Sequence, residues 1–195
     1  MLNIDIKNME NYVDVIIING SGGVGKDEFV NICKKLLEKT SNSIIVKNIS
    51  SVDNVKKAAK ILGWDGKKNE EDRKFLSDLK DLSTKYNNGP TSYMFEKYLE
   101  SLEIANRDRS VGFHSHIIIF YHIREPEEIK SLVEIIPFSN TLLIESNRVK
   151  KIESNHADAN IRNYNYDYII QNNGTLADLE AEAIKFLNTI LNKEN

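Results

Sequence analysis

Val13–Asp27 reads VDVIIINGSGGVGKD, an apolar run that breaks into a glycine-rich turn. A pattern typical of a helix begins directly after Lys26, so the predicted order is strand, loop, helix. Glycines allow successive backbone N–H groups to turn inward as a nest that holds an anion, and the start of the following helix adds positive charge. This stretch therefore predicts an anion-binding loop between a buried strand and a helix.

The spacing within the turn is G-x-x-x-x-G-K, the pattern of a phosphate-binding loop. We expect the phosphates of a nucleotide to lie against the backbone of this loop. Its members are Gly20, Ser21, Gly22, Gly23, Val24, Gly25 and Lys26. Lys26 would reach the terminal phosphates as a mobile point charge, which predicts a catalytic role for its ammonium group.

Asp27 departs from the usual pattern, in which a serine or threonine after the lysine gives a hydroxyl to Mg²⁺. A carboxylate can also hold this ion, directly or through water, because Mg²⁺ prefers oxygen ligands and keeps several waters. Alternatively, Asp27 only stabilises the start of the helix through the helix dipole. The sequence leaves both interpretations open, and Asp27 is the candidate metal ligand.

Composition is that of an ordinary soluble domain of 195 residues, 41% hydrophobic and 28% charged, with a formal net charge of -3. We expect a single domain over residues 1–195, with no electrostatic reason for nucleic acid or an anionic membrane as a partner. No apolar stretch approaches the roughly 20 residues of a membrane span. The single Cys33 cannot form an internal disulfide, which favours the cytoplasm. Oligomeric state is left open.

Five short segments have the composition of buried strands. They are Val13–Asn19, Ser43–Lys47, His116–His122, Thr141–Glu145 and Tyr166–Ile170. Several are continuous apolar runs, as expected for parallel strands that are covered on both faces. Helical patterns separate them, which favours an α/β fold with the phosphate loop at the carboxyl ends of the strands. A capping box at Thr175–Asp178 and an apolar stripe predict the last helix.

Residues 52–109 form a long, mostly helical insertion between the second and third predicted strands. A simple crossover needs only about a dozen residues, so we expect this region to cover a second substrate. Its helix from Asn69 to Tyr86 is two-faced. The apolar side carries Phe75, Leu79, Leu82 and Tyr86, and the opposite side carries Arg73, Ser77, Lys80 and Thr84. The polar side could bind a phosphorylated substrate, through Arg73 and Lys80, or simply face solvent.

Three segments together resemble the phage-type deoxynucleoside monophosphate kinases and the related animal phosphomevalonate kinases. The first is the loop that ends in Gly-Lys-Asp, at Asp27. The second is His122–Glu128, similar to the Asp-Val-Arg-Phe-Pro-x-Glu segment of the phage-type enzymes, with His122 in place of the aspartate. The third is Tyr166–Leu176, which looks like the last strand and turn of many kinases of this superfamily.

The resemblance implies a P-loop NTPase fold, a three-layer sandwich around a five-stranded parallel sheet, and phosphoryl transfer from ATP with Mg²⁺. It implies that Arg124 holds phosphate oxygens, although Arg124 could instead pair with a neighbouring glutamate. Asn173 would lie in the turn near the adenine. Arg148 is a third candidate catalytic residue, after Lys26 and Arg124, and would lie in a lid over residues 146–163; alternatively this segment is a solvated loop. The resemblance implies a small phosphorylated acceptor. A nucleoside or deoxynucleoside monophosphate is the first expectation, and a phosphomevalonate-like compound is the alternative.

The missing aspartate at His122 raises the question of which acid replaces it, because phosphoryl transfer usually places an acidic residue on the metal. Asp27 is one candidate. Asp65, in the turn Gly63–Gly66, is another. Trp64 in the same turn could stack on a base, or be a partly buried aromatic residue. Without a replacement acid, the protein would be a nucleotide-binding sensor or scaffold with weak catalysis.

Overall fold

The computed structural model describes Leu2 and residues 12–67, 69–149 and 160–192. The strands are β1 (Val13–Asn19), β2 (Ile44–Ser50), β3 (His116–His122), β4 (Asn140–Glu145) and β5 (Tyr168–Gln171). The helices are α1 (Lys26–Thr40), α2 (Asp53–Ile61), α3 (Glu70–Asn87), α4 (Gly89–Ser110), α5 (Pro126–Ile135) and α6 (Leu176–Leu191), with a short 3-10 helix at Ile161–Asn163. All five strands expected from the sequence are present.

All five strands lie in one parallel sheet, in the order β2-β3-β1-β4-β5. The central strand, β1, is therefore the one that leads into the glycine-rich loop. β2 runs to Ser50, three residues beyond its predicted end, because its pairing with β3 continues to the Ser50–His122 pair. Parallel strands all end at the same edge, so the loop, Ser50 and His122 meet there.

Two buried clusters lie on opposite faces of the sheet. One joins α1 and α6 to alternate strand residues such as Ile16 and Phe120. The other joins α4 and α5 to the intervening residues, such as Ile17 and Tyr121. The molecule is thus a three-layer sandwich. With its glycine loop between the central strand and α1, it has the α/β P-loop NTPase fold that the sequence predicted.

The last helix begins as its sequence predicts. The Thr175 hydroxyl and the Asp178 carboxylate cap each other's backbone N–H groups. The predicted apolar stripe of α6 is buried from Leu179 onward, whereas Leu176 is exposed. Hydrogen bonds from Thr175 lower the pKa of Asp178.

Three helices, α2, α3 and α4, occupy the region expected to cover a second substrate. α3 begins one residue after its cap, Asn69, whose side chain accepts a hydrogen bond from the Asp72 N–H at 2.7 Å. Its burial does not follow the two faces of the sequence pattern. Leu82 and Tyr86 of the apolar side are 64% and 85% exposed. Lys80, from the polar side, points inward. The helix was predicted correctly, and the sequence pattern does not indicate the side that it turns toward the protein.

The segment predicted as a lid, residues 146–163, is described only at its two ends, because residues 150–159 lie outside the described part of the chain. Both ends are attached near β4 and β5. The Arg162 guanidinium pairs with the Glu145 carboxylate at 2.7 Å, and the Ser146 hydroxyl donates to the Asn172 carbonyl at 2.8 Å. Of the helices that the structure describes, none is long and apolar enough to span a membrane.

Candidate nucleotide-binding site

The glycine loop has a backbone that only glycine tolerates at two positions. Gly20 has φ +146°, and a Cβ there would overlap the carbonyl oxygen of Ile144 in β4. Gly25 has φ +96°, and a Cβ there would overlap the side-chain amide of Asn172. Both φ values lie in the region that L side chains rarely adopt. The loop is thus packed closely against β4 and against the turn after β5.

Lys26, the first residue of α1, turns back over this loop. Its ammonium group donates to the backbone carbonyls of Gly20 and Ser21, the second at 2.7 Å. A cation in this position lies directly above the nest rather than in solvent. The start of α1 adds the positive end of its helix dipole to the same place. The predicted cradle therefore combines loop, helix start and ammonium group.

Asn19, which sequence reasoning treated only as the last residue of β1, is fully buried and holds the loop in place. Its side-chain oxygen accepts from the Gly20 N–H at 2.7 Å. Its side-chain nitrogen donates to the Arg124 carbonyl at 3.0 Å and to the Tyr166 hydroxyl at 2.7 Å. Tyr166 in turn donates to the Ile161 carbonyl, and burial raises its pKa to about 12. One amide thus links the phosphate loop, the exit of β3 and the end of the 146–163 segment.

His122 and Asp27 meet at the edge of the sheet beside the loop. The His122 Nδ1 atom lies 4.0 Å from an Asp27 carboxylate oxygen. The His122 side chain is only 14% exposed, whereas that of Asp27 is 90% exposed. The buried Nε2 atom of His122 has no hydrogen-bond partner among the described residues. His122, which stands in place of the expected aspartate, therefore faces Asp27, which stands in place of the expected serine or threonine.

The electrostatic surroundings of His122 identify two further charged groups, Asp53 and Lys56 on α2. Burial lowers the pKa of His122. The carboxylate of Asp27 raises this pKa and the ammonium group of Lys26 lowers it. Asp53 and Lys56 have smaller effects, the first raising and the second lowering the pKa. The Asp53 carboxylate accepts from the Ser50 N–H at 2.8 Å and pairs with the Lys56 ammonium at 3.3 Å. Sequence analysis missed both residues, although Asp53 follows directly on the carboxyl end of β2. This position near the carboxyl end of a parallel strand is the sequence feature that could have identified Asp53 as a site residue.

The turn after β5 lies on the other side of the loop. The Asn172 side chain donates to the Val24 carbonyl at 2.8 Å, and its own backbone carbonyl accepts from the Arg148 guanidinium at 2.9 Å. Asn173 accepts from the Asn147 N–H at 2.7 Å. The structure thus brings Arg148 and Asn173 close to the phosphate loop. Asn172, the residue that contacts the loop, was missed. Their roles in binding a nucleotide stay predictions.

Arg124 and Arg73 occupy different settings. Arg124 follows β3 by two residues, so it lies at the carboxyl edge of the sheet, where Asn19 holds its carbonyl. Arg73 lies in the first turns of α3 and is exposed. Within the described ranges, no ion pair involves the Arg73 guanidinium. Both phosphate-binding roles stay predictions.

Trp64 and Asp65 lie beyond the far end of α2. The nine residues of that helix span about 13 Å at about 1.5 Å per residue, and only its first turn adjoins His122. The Trp64 indole donates to the Lys67 carbonyl at 3.0 Å, and the Asp65 carboxylate pairs with the Lys67 ammonium at 2.6 Å. Hydrogen bonds from the ammonium group and the backbone N–H of Lys67 lower the pKa of Asp65. Both side chains thus contact Lys67 in their own turn, and their substrate-binding roles stay predictions.

Lys80 forms a buried ion pair with Glu128. Its ammonium lies 2.7 Å from the carboxylate, and the two side chains are only 14% and 8% exposed. The second carboxylate oxygen of Glu128 has no hydrogen-bond partner in the described ranges. The pair attaches α3 to α5, because Glu128 lies in the first turn of α5. Lys80 was predicted to bind substrate; the structure gives its charge a protein partner instead, and the predicted role remains untested.

We expect Lys80→Met to destabilise the protein by about 3–5 kcal/mol, since it leaves the Glu128 carboxylate buried and unpaired. Urea unfolding followed by circular dichroism would measure this. The double variant Lys80→Met, Glu128→Leu should recover most of the loss, because it removes the orphaned charge as well. Equal stability of the single variant and the unaltered protein would contradict a buried pair.

A groove of about 440 Å³ runs between α2 and α3. Four of the eight lining residues are aliphatic, one is a tyrosine and three have small polar side chains. The residues are Asn54, Val55, Ala58, Leu79, Leu82, Ser83, Tyr86 and Asn87. It begins at the amino end of α2, directly after Asp53, and therefore opens near the edge of the sheet that carries the loop. This groove explains why the apolar face of α3 is exposed: it lines an open cavity rather than the core.

Solved structures with a similar fold include kinases of small molecules. A thymidylate kinase from Ehrlichia chaffeensis is 12% identical, with a TM-score of 0.49, over 90% of this chain and 98% of its own. An APS kinase from Mycobacterium tuberculosis is 13% identical, with a TM-score of 0.41 over 89% and 96%. A shikimate kinase from Aquifex aeolicus is 12% identical, with a TM-score of 0.43 over 89% and 95%. No protein-family model and no curated protein matches the sequence.

Proposed function

We propose that this protein transfers the γ-phosphoryl group of ATP to a small phosphorylated acceptor, a nucleoside or deoxynucleoside monophosphate. The observation that carries the proposal is the loop Gly20–Lys26, which lies at the carboxyl end of the central strand with the Lys26 ammonium folded over it. Backbone amides, a helix start and a lysine in one loop suit the polyphosphate of a nucleoside triphosphate.

The protein's part in such a reaction is to align two phosphates and to neutralise their charge. Lys26 would hold the terminal phosphates of the donor, and Arg124, at the same edge of the sheet, would bind the group in transfer through its planar guanidinium. Asn173 and Arg148 would contact the nucleoside part of the donor. An acceptor phosphate is itself a nucleophile, so no strong base is required. Mg²⁺, when bound, would supply further charge neutralisation to the phosphate oxygens.

The donor set near the loop fits a divalent cation of this kind. Asp27 offers an exposed carboxylate, and divalent ions at nucleotides are held by one or two side chains together with substrate phosphates and water. In the described part of the chain, no group of three histidine, cysteine, aspartate or glutamate side chains could hold a metal ion by itself. A metal ion at Asp27 would therefore depend on the nucleotide for most of its ligands.

The groove between α2 and α3 is the proposed site for the acceptor. It adjoins Asp53 and so begins near His122, and the amides of Asn54 and Asn87 could bind the polar edge of a base. Tyr86 offers an aromatic face for stacking. Arg73 lies near the opposite end of α3 from Asn87, outside the lining of this groove, and its contact to the phosphate of the acceptor stays a prediction from the sequence.

A second candidate is a phosphorylated alcohol of the phosphomevalonate kind. The observation that favours it is the aliphatic lining of the groove, where Val55, Ala58, Leu79 and Leu82 outnumber the groups that could bind a base. Such a lining suits a substrate with a branched hydrocarbon body as well as it suits a planar base.

The test is ADP release, measured in a coupled assay with a panel of nucleoside monophosphates and a matched panel of phosphorylated alcohols. We expect saturable turnover with a nucleoside monophosphate and much slower turnover with the alcohols. The reverse preference would support the second candidate. ATP binding in a calorimeter without transfer to any acceptor would instead identify a nucleotide sensor and contradict the proposed transferase.

A further inference from the structure

The side chains beside the phosphate loop exchange the two donor types that usually hold the nucleotide's metal ion. In P-loop NTPases the loop provides a neutral hydroxyl, and a neighbouring strand provides an aspartate. Here the loop provides the carboxylate of Asp27, and the end of β3 provides the imidazole of His122. Each arrangement contains one carboxylate and one neutral donor. The charge of the pair is thus kept while the two positions are exchanged.

The geometry allows both side chains to bind one ion. At metal–ligand distances of about 2.1 Å, two ligands on adjacent octahedral positions lie about 3 Å apart, and two on opposite positions about 4 Å apart. The His122 Nδ1 atom and the Asp27 oxygen are 4.0 Å apart. Asp27 is exposed and able to adjust, whereas His122 is held in the sheet edge by its strand.

The nitrogen of His122 that faces Asp27 is Nδ1, and it lies too far from the carboxylate for a hydrogen bond. The buried Nε2 atom lies on the other side of the ring, has no hydrogen-bond partner among the described residues and takes no part in the assignment. An imidazole nitrogen that faces a carboxylate beside a phosphate loop, without a hydrogen bond to that carboxylate, is placed to bind an ion between the two side chains.

We propose that His122 and Asp27 together bind the divalent ion that accompanies the nucleotide, and that the imidazole shifts the preference of this site from Mg²⁺ toward a transition-metal ion such as Mn²⁺. Nitrogen ligands bind first-row transition metals well, whereas Mg²⁺ selects oxygen ligands. The inference rests on the proposed nucleotide site, because two side chains leave most of the coordination shell to phosphate oxygens and water. Asp53 and Lys56 lie near this pair, and neither is required as a ligand.

The experiment uses the full chain, ADP and Mn²⁺ as the probe. Pulsed electron paramagnetic resonance of the bound Mn²⁺ detects directly coordinated imidazole nitrogen, and labelling the protein with ¹⁵N-histidine separates this signal from nitrogen of the adenine. We expect a histidine signal that disappears in His122→Asn. It should persist in the control His114→Asn, because His114 is exposed before β3, at the opposite edge of the sheet. Absence of the signal in the unaltered protein would overturn the proposal.

A second measurement compares metal preferences. The dissociation constants of Mn²⁺ and Mg²⁺ in the presence of ADP give a ratio for each variant. In Asp27→Ser, His122→Asp, which restores a hydroxyl on the loop and a carboxylate on the strand, the preference for Mn²⁺ should fall by about 10–100-fold, the range typical of perturbed metal sites. An unchanged ratio would contradict the assignment. Calorimetric titration of ADP without metal separates the test of the nucleotide site from the test of His122 as a metal ligand. Failure of ADP to bind would contradict the proposed function. Binding of ADP without a histidine signal would contradict only the role of His122.

Discussion

Lys26→Ala should lower kcat/KM for ATP by a factor on the order of 10²–10³, the usual cost of removing one preorganised donor from a site where charge develops. The ammonium group lies over the loop and donates hydrogen bonds to the carbonyls of Gly20 and Ser21. It is therefore already beside the expected position of the terminal phosphates of a nucleotide. Titration calorimetry with ATP and steady-state ADP release would measure the loss in binding and in turnover.

Lys34→Ala is the matched control for this change. Lys34 lies two turns further along the same helix, is 49% exposed, and forms a surface pair with Glu38 at 3.7 Å. Its removal should leave ATP binding and turnover within experimental error, because exposed ion pairs contribute little. Melting curves for both variants would show whether a loss of activity reflects a loss of folding. Unchanged ATP affinity in Lys26→Ala, with the protein folded, would be incompatible with a phosphate-binding loop.

The fold could be predicted because its signals are local in the sequence. Continuous runs of isoleucine and valine identify strands that are covered on both faces. Glycines at Gly20 and Gly25 identify backbone that other residues cannot adopt. The Thr175 cap marks the start of a helix through contacts within four residues. Each of these features depends on near neighbours, so one sequence is enough to find it.

The direction in which α3 faces could not be found in this way. Helical periodicity distinguishes an apolar face from a polar face, but it does not identify what will cover either one. Lys80 is buried because Glu128, 48 residues later in the chain, provides its counter-charge. The apolar face, meanwhile, lines the groove with α2. Both facts depend on how distant segments pack, and no spacing within the helix indicates them.

The candidate site was predictable in part for the same reason. The loop residues follow from glycine spacing, and the placement of Arg124 follows from the rule that parallel strands end at one edge. Asn19, Asn172 and Asp53 were missed. Their contributions are single side-chain contacts to the loop or beside it, made across the ends of different strands. Residue type alone does not distinguish such an asparagine from one in an ordinary turn.

Asn19→Leu should both destabilise the protein and weaken its binding of ATP. The change removes three hydrogen bonds, among them that of the buried Gly20 N–H and that of the partly buried Arg124 carbonyl. At about 1–3 kcal/mol for each of these two groups, the expected loss is roughly 2–6 kcal/mol. Because the Gly20 N–H fixes the entry to the phosphate loop, ATP affinity should also fall by about tenfold or more, a loss of about 1.4 kcal/mol.

Two further variants separate these effects. Thr141→Val removes a buried hydroxyl that exchanges hydrogen bonds with Asp167. Thr141 pairs with Ile17, two residues before the end of β1, so its loss should lower stability without changing ATP affinity. Tyr166→Phe removes only one of the three partners of Asn19 and should give an intermediate decrease in affinity. If Asn19→Leu instead lost stability like Thr141→Val while binding ATP normally, Asn19 would be a core hydrogen-bonding residue with no influence on the loop.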